Sequence, residues 1–197
     1  MVRPGLDRTY KFEGLYLYNS VGVPSVAQRV VVQDRRALAF SFNQKMNNVV
    51  SFFNRLSVDS NRQQGINYRV MNMVGVTIRD PKKEHRFQLD FSPGAAFVDE
   101  SKTAFPVENG LHVMPAALQT ASLRISKAWT VDQYFLYRVR PSVAHDTHLD
   151  AFVGLNGMVF TRRFGMQLGY RYTYEGLVAP GLMRLDTQFT VGIIMKL

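Results

Sequence analysis

The chain has 197 residues, no cysteine, a net charge of +9 at pH 7 and a pI of about 10.0, with 46% apolar residues and a mean hydropathy of −0.11. That length makes one domain, 1–197, with enough chain to bury a core or to close a barrel of about ten to twelve strands. The lack of cysteine removes disulfides, thiolate metal sites and thiol catalysis, and the lack of a long apolar run removes a membrane-spanning helix.

The first eight residues, Met-Val-Arg-Pro-Gly-Leu-Asp-Arg, contain no apolar run of the secretory-signal type. Segments 10–18, 29–33 and 37–42 read as strands, the middle one short. Residues 44–58 carry two competing patterns: Met46, Val49, Val50, Phe53 and Leu56 fit helical spacing, and Val50, Phe52, Asn54 and Leu56 fit a strand poorly. A short helix or a distorted strand is expected there. A helix would plug a lumen, lie on a membrane surface or cover one end of a soluble barrel.

From residue 66 onward the period is two. Ile66, Tyr68, Val70, Val74, Val76 and Ile78 alternate with Asn67, Arg69, Met71, Gly75, Thr77 and Arg79. The turn Asp80-Pro81-Lys82-Lys83 leads into 84–92, where Phe87, Leu89 and Phe91 oppose Arg86, Gln88 and Asp90, the grammar of a hairpin. Residues 92–115, with Pro93, Pro106 and Pro115, lack clear periodicity and are expected to form a long loop that folds into a pore or docks a partner. Strands are expected again at 117–127, 131–140 and 148–160.

The last two elements alternate most cleanly. Phe164, Met166, Leu168, Tyr170, Tyr172 and Tyr174 form one face against Gly165, Gln167, Gly169, Arg171, Thr173 and Glu175. In residues 183–197, Met183, Leu185, Phe189, Val191, Ile193, Met195 and Leu197 share a face, with Thr187 as its exception. Soluble strands usually stop at about five or six residues, whereas a tilted membrane strand needs about nine to eleven. The tyrosines gathered at one end suit a headgroup level, where a ring buries its body and keeps its hydroxyl wet.

Chemistry-bearing motifs are absent. There is no Gly-x-Ser-x-Gly, no His-Glu-x-x-His, no phosphate loop and no Gly-x-Gly-x-x-Gly, so no enzyme activity, catalytic residue, cofactor or metal is expected. His145 and His148 flank a polar turn that does not itself supply enough ligands for a metal. Basic residues are spread singly, with short runs only at turn tips such as Arg162-Arg163, so nucleic acid is not the expected partner.

The final eight residues, Thr190-Val191-Gly192-Ile193-Ile194-Met195-Lys196-Leu197, fit polar-x-Gly-x-x-apolar-x-apolar. They resemble the sorting signal on the last strand of mitochondrial outer-membrane β-barrels of the porin and import-channel type. The resemblance implies an all-β, antiparallel up-and-down transmembrane barrel. It also implies residence in an organelle outer membrane, mitochondrial or plastid, with a bacterial outer membrane as the alternative. Thr190, Gly192, Met195 and Leu197 would then carry assembly, and the lipid bilayer would be the first partner, with a homo-oligomer or larger membrane complex possible.

The polar face carries Arg69, Arg79, Arg86, Arg124, Arg138, Arg140, Arg171, Arg184 and Lys196, more cations than its carboxylates. Facing a lumen, these side chains would favour small anionic solutes. The alternatives are that they pair across strands, or that the chain is a soluble β-rich shell or tube subunit that binds an acidic partner.

Overall fold

The structure is a computed structural model and describes residues 8–22, 29–80, 86–103, 109–157, 164–178 and 180–195; at 11–22, 29–33, 164 and 192–195 it describes the backbone alone. The chain forms ten strands: β1 (Arg8–Gly22), β2 (Arg29–Lys45), β3 (Val50–Asn61), β4 (Ile66–Arg79), β5 (Phe87–Lys102), β6 (Gly110–Arg124), β7 (Trp129–Val139), β8 (Thr147–Gly157), β9 (Phe164–Glu175) and β10 (Leu185–Met195). Each pairs antiparallel with the next, in the order β1 to β10. The result is an up-and-down meander curled into a half-barrel. The one helical turn among the described residues is a 3₁₀ segment, Arg62–Gln64.

Two sequence expectations are corrected. Residues 44–58 hold no helix: β2 runs through Lys45, and β3 is paired along its length to β2 and β4. In that register Ser51 and Phe53 are buried while Phe52, Leu56 and Val58 are exposed, so two ladders override the helical spacing. The intervening turn is fixed by the Asn47 side-chain oxygen, which accepts from the Val49 and Val50 amides at 2.9 and 2.8 Å. The expected loop 92–115 is also mostly strand, since β5 and β6 pair from Phe87–Leu123 to Glu100–Gly110.

Of the prolines that suggested a loop, Pro106 lies outside the described residues, and Pro93 and Pro115 sit where a ladder can spare an amide. The β4–β5 ladder pairs Gly75 with Gly94, is interrupted opposite Pro93, and resumes at Ile78–Phe91. Pro115 immediately precedes the first β6–β7 pair, Ala116–Arg138.

The sheet is inverted relative to a soluble sandwich. Leu38, Phe40, Phe52, Leu56, Val70, Val76, Ile78, Phe91, Phe97, Val113, Phe135, Val153, Phe189 and Val191 are exposed on the convex face. Arg35, Arg69, Asp90, Glu100, Lys102, Arg138, His148, Glu175 and Asp186 are buried on the concave one. Among the aromatic rings on the convex face, Tyr68, Tyr137 and Tyr174 lie toward the end bearing the β3–β4, β7–β8 and β9–β10 turns and Tyr10, Phe52, Phe87 and Trp129 toward the other, with Phe40, Phe97, Phe135, Tyr170 and Phe189 between them. Tyr137, Leu149, Tyr174 and Leu185 form one row across four strands.

An apolar patch interrupts the polar interior. Phe53, Met71, Met73, Ala96, Val98, Met114, Ala116 and Leu136 pack together on the inward face of β3 to β7. Beside it, β4 and β5 approach unusually closely: a Cβ built on Gly94 would lie 2.2 Å from the Val74 carbonyl oxygen, and one on Gly75 would lie 2.3 Å from that of Pro93. The Phe53 ring fills the space over Gly75. Replacing Gly94 by Val should therefore cost about 1–3 kcal/mol as backbones are pushed apart, read as a lowered urea midpoint. An unchanged midpoint would show that the strands can separate freely.

Candidate functional site

The concave face lines a cavity of about 1250 Å³. Period-two alternation places its lining: Arg35, Ala37, Ala39 and Ser41 of β2, Phe53, Arg55 and Asp59 of β3, Leu118 of β6, Tyr134, Leu136 and Arg138 of β7, and Asp150 and Arg171 of β8 and β9 all point inward. At one end the lining residues Gln88, Arg124, Ser126 and Lys127 are exposed, whereas at the other Arg35, Gln64, Arg69, His148 and Glu175 are buried. Among the described residues, the cavity thus opens at the first end and is floored at the second.

That floor is a network of ion pairs. Arg69 Nε donates to Glu100 Oε2 at 2.8 Å, and its Nη1 lies 2.6 Å from Glu175 Oε1 and 3.7 Å from Asp59 Oδ2. Lys102 Nζ stands 3.4 Å from Glu100 and 3.7 Å from both Asp146 and Glu175. His148 places Nε2 2.9 Å from Asp146 Oδ1 and Nδ1 against Glu175 Oε2, so both ring nitrogens meet a carboxylate. Arg140 completes the set at 3.5 Å from Asp146.

A second group joins strands remote in sequence: Arg35 Nη1 donates to Asp186 Oδ2 at 3.3 Å and Thr173 Oγ1 at 3.2 Å, and Asn61 donates to the same Asp186 oxygen at 3.2 Å. Along the wall, Arg79 forks onto Asp90 at 2.7–3.1 Å and Arg171 onto Asp150. The guanidiniums of Arg55 and Arg171 each lie 5.9 Å from the Tyr134 ring centre.

Of the basic residues singled out in the sequence, Arg69, Arg79, Arg138 and Arg171 face inward from strands, and Arg140 is buried in the β7–β8 turn. Arg124 is exposed at the mouth of the cavity. Arg86 and Arg184 depart from the expectation: they precede β5 and β10, exposed, because strand alternation stops before them. Of the sorting-like residues, Thr190 and Gly192 lie within β10 and Met195 ends it. Lys196 and Leu197 lie outside the described residues.

Sequence reading missed Lys102, Glu100, Asp146 and His148 as a group. The first two share the inward parity of Val98 on β5, a signal that a strand assignment there would have exposed. Glu100, Asp146 and His148 bring ligand-type atoms within 4.8 Å of one another, but the Lys102 ammonium already supplies a cation beside them.

Burial pushes the Asp146 carboxyl up, yet the hydrogen-bonding and charge of His148, with Lys102 and Arg140, outweigh it and hold the group below its ordinary value. A depressed carboxylate contributes stability that is present above the unfolded value, about 3.9, and is lost as pH falls through the folded one. Asp146→Asn should therefore flatten the acid limb of a stability-against-pH curve below about pH 4; an acid limb identical to wild type would remove Asp146 from the linkage. Removing one partner of the buried set by Glu175→Gln should cost about 3–5 kcal/mol. Arg62→Ala, breaking a pair in which Arg62 is 71% exposed, should leave thermal unfolding unchanged. Equal effects of the two would refute the distinction between floor and rim.

The chain belongs to the family described as protein of unknown function, DUF481, whose model matches residues 3–197. No curated protein and no solved structure matches the chain at a significant level.

Proposed function

We propose that this DUF481 member closes into a membrane-spanning β-barrel whose interior is a one-ended cavity rather than an open cationic pore. The observation that carries the reading is the inverted distribution of residues. Large apolar side chains cover the convex face while charged ones are buried on the concave face, the arrangement a barrel adopts when lipid surrounds it. Strands of 11 to 17 residues meet the requirement for crossing a bilayer at a tilt. Tyr68, Tyr137 and Tyr174 toward one rim, with Tyr10, Trp129, Phe52 and Phe87 toward the other, suit two headgroup levels.

The interior supports a closed floor. Arg35, Arg69, Arg79 and Arg171 each face a carboxylate, so the cationic excess expected of the polar face is largely neutralised pairwise. A pore for small anions is the second reading, favoured by the inward Arg138, which meets no such partner among the described residues. The carrier of assembly in this reading is β10, whose Thr190-to-Met195 segment holds most of the sorting-like pattern. An outer membrane of organelle or bacterial type is its setting.

Four measurements decide the matter. The chain should require detergent or lipid to stay monodisperse, and brominated lipids should quench the single tryptophan, Trp129, on the convex side of β7. Val153→Arg near mid-strand should destabilise the bilayer-inserted fold by about 2–4 kcal/mol, and Tyr174→Arg at the rim by about 0–1. In planar bilayers the folded protein should conduct little. Monodispersity in plain buffer without quenching would return the chain to a soluble β-rich subunit that buries its convex face against partners. A steady anion-selective current would establish the pore instead.

A further inference from the structure

Arg138 is the anomaly of the interior. It is 7% exposed, and its Nη1 donates to the Met71 sulfur at 2.9 Å. No carboxylate oxygen stands within 4.0 Å of its guanidinium among the described residues, unlike Arg35, Arg69, Arg79, Arg140 and Arg171. Its strand neighbour inside the cavity is Leu136 and its ladder partner on β6 is Ala116, both of the apolar patch, while its ladder partner on β8 is His148 of the ionic floor. A thioether is a weak acceptor, so this buried charge has no carboxylate in contact, and Arg69, Glu175, Asp59 and Glu100 act on it only from a distance.

The same cavity offers an apolar track leading away from this charge. Met71, Leu136, Leu118 and Phe53 line it in one continuous packed group, extending toward the inward rings of Tyr134 and Phe152. A small hydrated anion reaching Arg138 would have to shed water against this wall with nothing to replace it. An anion that carries its own apolar chain satisfies both surfaces at once. The volume, about 1250 Å³, lies above the range of roughly 300–1,000 Å³ typical of sites for small organic ligands.

We infer that the cavity is a binding site for a single-chain amphiphile with a carboxylate head, the head on Arg138 at the floor and the chain along Met71, Leu136, Leu118 and Phe53. The charge of Arg138 selects the head, and the length of apolar track selects the chain. The inference rests on the curled sheet alone and holds in bilayer or in buffer, so its failure and that of the membrane reading are separable.

The test is photo-crosslinking with a long-chain fatty acid carrying a mid-chain diazirine, run beside the corresponding alcohol on the full chain in nanodiscs and in whatever buffer keeps it folded. Strand parity supplies the readout. Acid adducts should map to inward residues such as Met71 and Leu118, while the alcohol should label only convex residues such as Val70 and Phe135. Arg138→Gln should lower inward labelling by about tenfold, the loss of one charge-assisted hydrogen bond, and Arg138→Lys should retain most of it.

Should Arg138→Gln fail to fold, Leu118→Trp carries the test. It keeps the guanidinium and fills the track, and should abolish inward labelling while sparing the convex face. Adducts confined to the convex face, equal inward labelling by acid and alcohol, or inward labelling indifferent to both variants would overturn the inference.

Discussion

Burying a guanidinium is costly without an acceptor of its charge, and Arg69 shows how this chain meets that cost. Glu100 comes from β5, Glu175 from β9 and Asp59 from β3, so one side chain ties four strands together, counting its own β4. Desolvating such a set costs several kcal/mol per ion unless geometry and hydrogen bonds offset it, and the short contacts to Glu100 and Glu175 are what offset it here. The curl of the sheet follows: strands that are not neighbours in the ladder must approach across the interior for the charges to meet. The apolar convex face is the other half of the same arrangement. Once charge occupies much of the concave side, period-two alternation sends most of the valines, leucines and phenylalanines outward, the inward patch around Phe53, Val98 and Leu136 excepted.

How much of this was readable beforehand depended on contrast between the two faces. In β9 and β10 the tyrosines and aliphatics stand against Gln167, Arg171, Thr173, Gln188 and Thr190, and the strands could be drawn from sequence almost as found. In β3, β5 and β6 the inward face itself carries Phe53, Ala96, Val98 and Met114, so both faces are apolar in places and the alternation fades. Pro93 and Pro115 then read as loop formers, although in the sheet they mark a spared amide and the start of a ladder. The identity of the charge pairs was beyond local reading for a different reason. Arg35 and Asp186 are separated by 151 positions, and only the curl of the whole meander brings them together. Arg86 and Arg184 show the opposite error, in which alternation was extended past the strand ends that give it meaning.

The interior divides by chemistry along its length. Ion pairs floor it, the methionine-rich patch lines one wall above the floor, and exposed Gln88, Arg124 and Lys127 surround the mouth. Methionine suits the middle position because its unbranched, polarisable side chain fills irregular space and adapts to what lies beside it. The rings of Phe53 over Gly75 and Phe152 over Gly154 and Gly169 fill what the glycines leave empty, so tight backbone approach does not open voids in the wall.

The span of the trans-interior pairs also bears on the order in which the chain acquires its structure. Every ladder joins strands adjacent in sequence, so hairpins close short loops and carry little entropic cost. The Arg35–Asp186 and Arg69–Glu175 contacts instead close loops of more than a hundred residues and reward nothing until nearly all strands are in place. Contacts of that span form after the hairpins they join, so losing one is expected to act mainly on the native chain's escape from its folded state, which makes the ionic floor a determinant of lifetime more than of folding speed.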